Sequence, residues 1–272
     1  MTEKQLYQKL QNILATVDAV CYPEIYCIVD SYLGDACVYC EAQEIARELF
    51  DADCTKILPP TVAELLIEIN LEEIEKENYY SMTDLGSLYY TGRCGEQNYE
   101  KAVKYYTMAA KYGEQQAIEN LGYCYYYGRT GEKDYEKAYH YFIKGALANG
   151  LNSLYKIGDM YKNGYYVEKD ESQAFSIYAR CYQMVKESDE NYLLADICLR
   201  MGDAYFYGTG VEQDYTQALS FFQQAELAFY EKIKTGDCYG MQGLKSTIEK
   251  QYTCRKALLE ELPDYDWVRK DY

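Results

Sequence analysis

The stretch that decides the fold is Gly202-Asp203-Ala204-Tyr205-Phe206-Tyr207-Gly208-Thr209-Gly210-Val211-Glu212-Gln213-Asp214-Tyr215-Thr216-Gln217-Ala218. Working outward from it, the same scaffold begins again at Gly86, Gly122 and Gly158, so that the four starts are spaced 36, 36 and 44 residues apart. A recurring period of that length marks stacked helix-turn-helix units rather than one globular core.

Each position in the unit has a physical reason. The first glycine falls inside a helix, where it costs about 1 kcal/mol relative to Ala, so close packing against a neighbouring helix is expected to offset it. The glycine six residues later (Gly92, Gly128, Gly164, Gly208) suits a helix end that needs a left-handed conformation. Asn98, Asp134, Asp170 and Asp214 are good N-caps for a second helix, and Gln173 and Gln217 sit three residues after theirs, as in a capping box. Ala102, Tyr105, Tyr106 and Ala109 then recur at helical spacing. The unit is two antiparallel helices, neither able to bury its face alone.

These residues resemble the Sel-1-like repeat family, a relative of the tetratricopeptide repeat, whose pattern runs Leu-Gly, Tyr, Gly-x-Gly-Val, Asp-Tyr, Lys-Ala. The resemblance covers roughly residues 79–229. It implies an all-α, right-handed α–α superhelix (a solenoid) with helical caps, and three regions: 1–78 as an N-terminal helical cap or degenerate repeats, 79–229 as four repeats, and 230–272 as a C-terminal capping helix and tail. There are departures from the pattern. The loop Gly-Val is kept only at Gly210-Val211, and Met201 and Ile157 stand where Leu is usual. Eight extra residues around Lys186–Asn191 should lengthen a helix end or add a loop.

Beyond the repeats, Leu6, Leu10, Ile13, Leu14 and Val17 mark a first helix. Pro23 opens a second that Gly34 closes, and Asp35 can cap a third up to Phe50. After Pro59-Pro60, Thr61-x-x-Glu64 reads as a capping box. Leu244, Ile248, Tyr252, Leu258 and Leu262 outline a C-terminal capping helix that Pro263 stops, with Trp267 in the polar tail.

Composition narrows the function. The 272 residues carry a net charge of −17, and the first 78 account for −11 of it, from 16 acidic and five basic side chains. That balance argues against nucleic-acid backbones as partners. It suits a solvated acidic face or a basic partner. No apolar run approaches the length of a membrane span, and the start lacks a secretory pattern, so a cytoplasmic protein is expected. The 11 cysteines lack the regular pairing of secreted relatives, and reduced, buried thiols are the expectation. Cys37-x-x-Cys40 is a single close pair without the further ligands that zinc needs. His140 has no readable nucleophile beside it. Neither a phosphate loop nor a nucleophile elbow occurs. No enzyme, metal or cofactor is expected.

Tyrosine is the remaining signal, with 35 in the chain and 25 of them between Tyr79 and Tyr215. By position, the related tetratricopeptide arrays would place four residues of each first helix on a concave face. These are Thr83, Ser87, Tyr90 and Thr91; Glu119, Tyr123, Tyr126 and Tyr127; Tyr155, Asp159, Lys162 and Asn163; and Leu199, Asp203, Phe206 and Tyr207. Tyrosine is a rigid amphipathic anchor well suited to peptide recognition. The expected function is a non-catalytic adaptor that binds a protein or peptide segment through Tyr90, Tyr123, Tyr126, Tyr127, Tyr155, Lys162, Phe206 and Tyr207. The alternative is an acidic inhibitor or immunity-type protein that neutralises a basic partner through residues 1–78. The sequence sets no oligomeric state.

Overall fold

The structure, a computed structural model, describes residues 1–34, 42–187, 192–234 and 240–260. Among them are thirteen α-helices, and the fold is the all-α helical repeat. The chain divides into two compact units, Met1–Tyr141 and Phe142–Tyr272.

In the first unit, α1 (Glu3–Thr16), α2 (Pro23–Gly34), α3 (Ala42–Asp51) and α4 (Pro60–Glu75) precede the repeats. Leu6, Leu10, Ile13, Ile25, Val29, Leu49 and Leu66 form one core with Leu85 and Leu88 of α5 (Tyr79–Thr91). This bundle thereby covers the apolar side of the first repeat helix. Arg93 fastens the junction: its guanidinium donates to the carbonyls of Phe50, Ala52 and Lys56, and its own carbonyl accepts from the Leu58 N–H at 2.7 Å. Two local details differ from the sequence expectation. The N-cap of α4 is Pro59, with Pro60 in the first turn and no side-chain cap, and Thr61 instead pairs its hydroxyl with Thr16 at 3.2 Å. A capping box does form at α1, between Thr2 and Gln5.

The repeat helices follow as α5, α6 (Tyr99–Lys111), α7 (Gln115–Tyr127) and α8 (Tyr135–Leu147), then α9 (Leu151–Asn163), α10 (Glu171–Glu187), α11 (Leu194–Tyr207) and α12 (Tyr215–Lys234). The mid-helix glycines do what their cost requires. A Cβ on Gly86, Gly158 or Gly202 would lie 2.6, 2.7 or 2.5 Å from the ring of Tyr106, Tyr178 or Phe222, each twenty residues on in the second helix of the same repeat. Gly92, Gly128, Gly164 and Gly208 end the first helices at φ between 65° and 74°. Asn98, Asp134, Asp170 and Asp214 accept the N–H three residues ahead at 2.8–2.9 Å. Each cap also donates its own N–H to the carbonyl of Tyr89, Tyr125, Tyr161 or Tyr205 at 2.9–3.0 Å. Every loop is thus closed at both ends by bonds to residues fewer than ten positions away.

The extra residues of the third repeat lengthen α10 to 17 residues, against 13 in α6 and α8. The last described helix, α13 (Gly240–Glu260), packs on α11 and α12. It turns a different face inward from the one expected. Leu244, Thr247, Gln251 and Cys254 are buried, whereas Ile248 and Tyr252 are exposed. The reason is Phe229 of α12, whose ring lies where a Cβ on Gly243 would be; that contact rotates Gly243, Thr247 and Gln251 toward the core. Leu262, Pro263 and Trp267 lie outside the described residues.

Candidate functional site

The expected face can be followed helix by helix. In the first unit, Tyr90 is half-buried, its ring edge-on to Tyr99 at 5.2 Å and tilted on Tyr106 at 6.5 Å. Tyr126 makes the same edge-on contact with Tyr135 at 5.5 Å. In the second unit Phe206 does so with Tyr215 at 5.6 Å. These three rings therefore brace the end of the first helix against the start of the second. The residues that follow two of them are more exposed: Tyr127 and Tyr207 are 43% and 59% exposed. Tyr123 is half-buried and stacked on Tyr127 at 6.2 Å.

Arg129, in the loop after α7, was not singled out by the repeat pattern, yet it organises this surface. Its guanidinium carbon lies 5.7, 5.2 and 5.3 Å from the ring centres of Tyr90, Tyr99 and Tyr127, and its Nε donates to the Tyr90 hydroxyl at 3.2 Å. Burial raises the Tyr90 phenol above its ordinary range, and Arg129 opposes that rise. Its traces in sequence are a tyrosine at the first position of the second helix in three repeats, at Tyr99, Tyr135 and Tyr215, and an arginine at the same loop position of the first repeat, Arg93.

Tyr155 is a correction. It is 5% exposed and packs within the second unit, with Arg200 and Lys156 over its ring at 5.2 and 4.9 Å, so it cannot anchor a partner. It belongs to a buried polar cluster around Asp159. That carboxylate accepts from Arg200 Nε at 3.0 Å, from Lys156 Nζ at 3.2 Å and from the Tyr178 hydroxyl at 2.8 Å. Burial alone would raise the Asp159 pKa, but the charges of Arg200 and Lys156 outweigh it and hold the group below the ordinary range. Tyr178 is pushed up strongly, first by burial and then by Asp159. Lys162 is half-buried, with no hydrogen bond or ion pair among the described residues.

Most other positions on the expected face serve the fold. The Thr83 hydroxyl donates to Glu114 at 2.9 Å, Ser87 pairs with the Tyr106 hydroxyl at 3.1 Å, and Glu119 and Leu199 are buried. Asp203 takes an ion pair from Lys250 of α13 at 2.5 Å, and the same ammonium lies 5.9 Å from the Tyr207 ring centre.

The thiols also depart in part from expectation. Cys124, Cys181, Cys198 and Cys254 are buried, and burial pushes the first three up to about 12. Cys21, Cys27 and Cys54 are exposed: Cys21 and Cys54 lie in the turns after α1 and α3, and Cys27 faces outward from α2. Cys37 and Cys40 lie outside the described residues. Among the described residues no cluster of three potential ligands is placed to hold a metal, and no helix is long and apolar enough to cross a membrane.

A family model described as "Sel1 repeat" matches residues 80–113, 115–150, 151–180 and 195–227. Among solved structures, a Sel1 repeat protein from Oxalobacter formigenes is 18% identical with a TM-score of 0.55, covering 89% of this chain and 98% of that one. The protective antigen c5321 of uropathogenic Escherichia coli, which displays an SLR fold, is 16% identical with a TM-score of 0.53, covering 91% of this chain and 56% of that one. The chain thus spans a little over half the length of that antigen. At such identities the likeness shows the fold. No curated protein matches the chain in sequence. Sel1 repeats generally mediate contacts between proteins and typically form non-catalytic scaffolds.

Proposed function

From the premise that the chain belongs to the Sel1 repeat family, we propose that it is a non-catalytic adaptor that binds a protein or an extended peptide segment through aromatic residues of its first repeat helices. One observation carries this reading. In the same register of two repeats, an exposed tyrosine (Tyr127, Tyr207) follows an aromatic residue (Tyr126, Phe206) that is braced from behind. Tyr127, held by Tyr123 and Arg129, and Tyr207, beside Lys250, each keep much of their surface exposed, and a ring held in this way loses little freedom on binding, which is what an anchor needs. Tyr123 and Tyr90 flank it in the first unit, and in the second Lys162, whose ammonium has no ion pair among the described residues, offers it to a partner's carboxylate or carbonyl. Tyr155 has no part in it.

The test is affinity capture from the native cell extract at low and high salt, comparing the wild-type chain with Tyr127→Ala/Tyr207→Ala. A captured protein is then titrated calorimetrically against both. Aromatic anchors predict retention at high salt and a loss of ten-fold or more in affinity for the variant, with an unchanged helical signal. Equal affinity in the variant would remove the reading.

A further inference from the structure

The first unit holds a cavity of about 630 Å³ between α3, α4 and the start of α5, a size typical of ligand pockets. It lies apart from the tyrosines discussed above. Its wall has an apolar part, Ala46, Phe50 and Ile69, and a charged part, Arg47, Asp51 and Asp84. Asp84 is half-buried and has neither a hydrogen bond nor an ion pair among the described residues. Asp51 and Arg47 are exposed and equally without such partners.

Three observations agree on what the cavity suits. A carboxylate taken partly out of water without a partner is unfavourable. Burial first, and then the neighbouring charges of Asp51 and Glu114, push Asp84 up to about 6, and Arg47 only partly opposes them. Asp51 and Asp84 stand with Arg47 alone in the lining, so its charge is net negative, and the one further cation near it, Arg93, interacts with Asp51 and donates to backbone carbonyls. The apolar wall in turn suits a methylene stem. The Phe50 ring already receives one guanidinium, that of Arg93 at 5.8 Å from the ring centre, from outside the cavity lining.

We propose that this cavity is a recognition pocket for a basic side chain of a partner protein, its stem lying on Ala46, Phe50 and Ile69 and its charged head meeting Asp84 and Asp51. Arg47 remains free to donate to carbonyls of the segment that carries the basic residue. The pocket shares with the reading above only the premise that the partner is a protein. A single-residue probe tests it whatever becomes of the tyrosines.

The experiment titrates the ¹⁵N-labelled full chain at pH 7.5 with Nα-acetyl-arginine amide and with Nα-acetyl-lysine amide. The uncharged Nα-acetyl-citrulline amide is the control. Saturable shifts of the Asp51, Ser81 and Asp84 amides with either basic probe, and none with citrulline, are expected. Asp84→Asn should weaken binding ten-fold or more without lowering the thermal midpoint, whereas Glu212→Gln, on an exposed loop of the other unit, should leave it unchanged. Because Asp84, faced by Asp51, Glu114 and Arg47, takes up a proton near 6, binding should also fall between pH 7.5 and 5. Saturation with neither basic probe, equal shifts with citrulline, or full affinity in Asp84→Asn would each overturn the proposal.

Discussion

Replacing Gly202 by Ala puts the packing logic of the repeat to a quantitative test. A Cβ there would stand 2.5 Å from both Cδ1 and Cε1 of Phe222 and 3.1 Å from its Cζ. Carbon atoms rest about 3.5–4.0 Å apart, so the ring would have to retreat by about 1 Å. It has nowhere to go: Phe222 is 0% exposed and sits in a core with Ala195, Cys198, Ala218 and Ala225. Overpacking of this kind costs about 1–3 kcal/mol, and two ring atoms in conflict place it in the upper part of that range. Against this, Ala gains about 1 kcal/mol over Gly inside a helix. The net expectation is a loss of about 1–2 kcal/mol. At about 2–4 °C per kcal/mol for a domain of this size, the midpoint should fall by about 2–8 °C. Urea and thermal unfolding followed by circular dichroism would measure it. A double-mutant cycle with Phe222→Leu identifies the cause: the smaller side chain should relieve the conflict, so that the double variant costs at least 1 kcal/mol less than the sum of the singles. A Gly202→Ala chain more stable than wild type, or strictly additive losses, would refute the reasoning.

Two further outcomes concern charge. Arg200→Ala removes one of two cations from buried Asp159; breaking a buried pair costs about 3–5 kcal/mol, and because Lys156 stays, a loss of about 2–3 kcal/mol at pH 7 is expected from urea titration. The Asp159 carboxyl lies below 3.8 in the folded chain, so its stabilisation is present above about that pH and is lost as acid passes the folded value; the gap between variant and wild type should shrink there. Asp84 has the opposite sign. Raised from 3.8 to about 6, it opposes folding most above pH 6 and not at all below about 4. Asp84→Asn should therefore stabilise the chain at pH 8, by up to about 3 kcal/mol from the shift alone and about 1–2 kcal/mol once solvent screening is allowed for. At pH 4 it should change nothing, and a flat difference from pH 4 to 8 would refute the assignment.

The candidate site was only partly legible in the sequence. Tyr126, Tyr127, Phe206 and Tyr207 could be placed at the end of a first helix from the repeat register alone, and the structure puts them there. Whether each ring braces or presents could not be read, because the answer depends on Tyr135 and Tyr215 at the start of the next helix and on Lys250 of α13. Tyr155 shows the limit: it stands in the register of a binding position, yet Arg200, 45 residues on in the sequence, helps to cover it. Arg129 left only a weak periodic signal, since an arginine holds that loop position in two of the four repeats, at Arg93 and Arg129, and Arg93 turns to the N-terminal helices instead.

The helical repeat, its glycine turns and its caps are written in the chain locally. Those features are closed by hydrogen bonds between residues fewer than ten apart, as between Asp214 and Tyr205 or Gln217, so the local string contains both partners. Which surface is open depends on long-range packing. The inward face of α13 is set by Phe229, and the cavity at Asp84 takes its wall from residues between Gln43 and Asp84 on α3, α4 and α5. Exposure is a property of what packs alongside, and packing brings together residues that no short window of sequence contains.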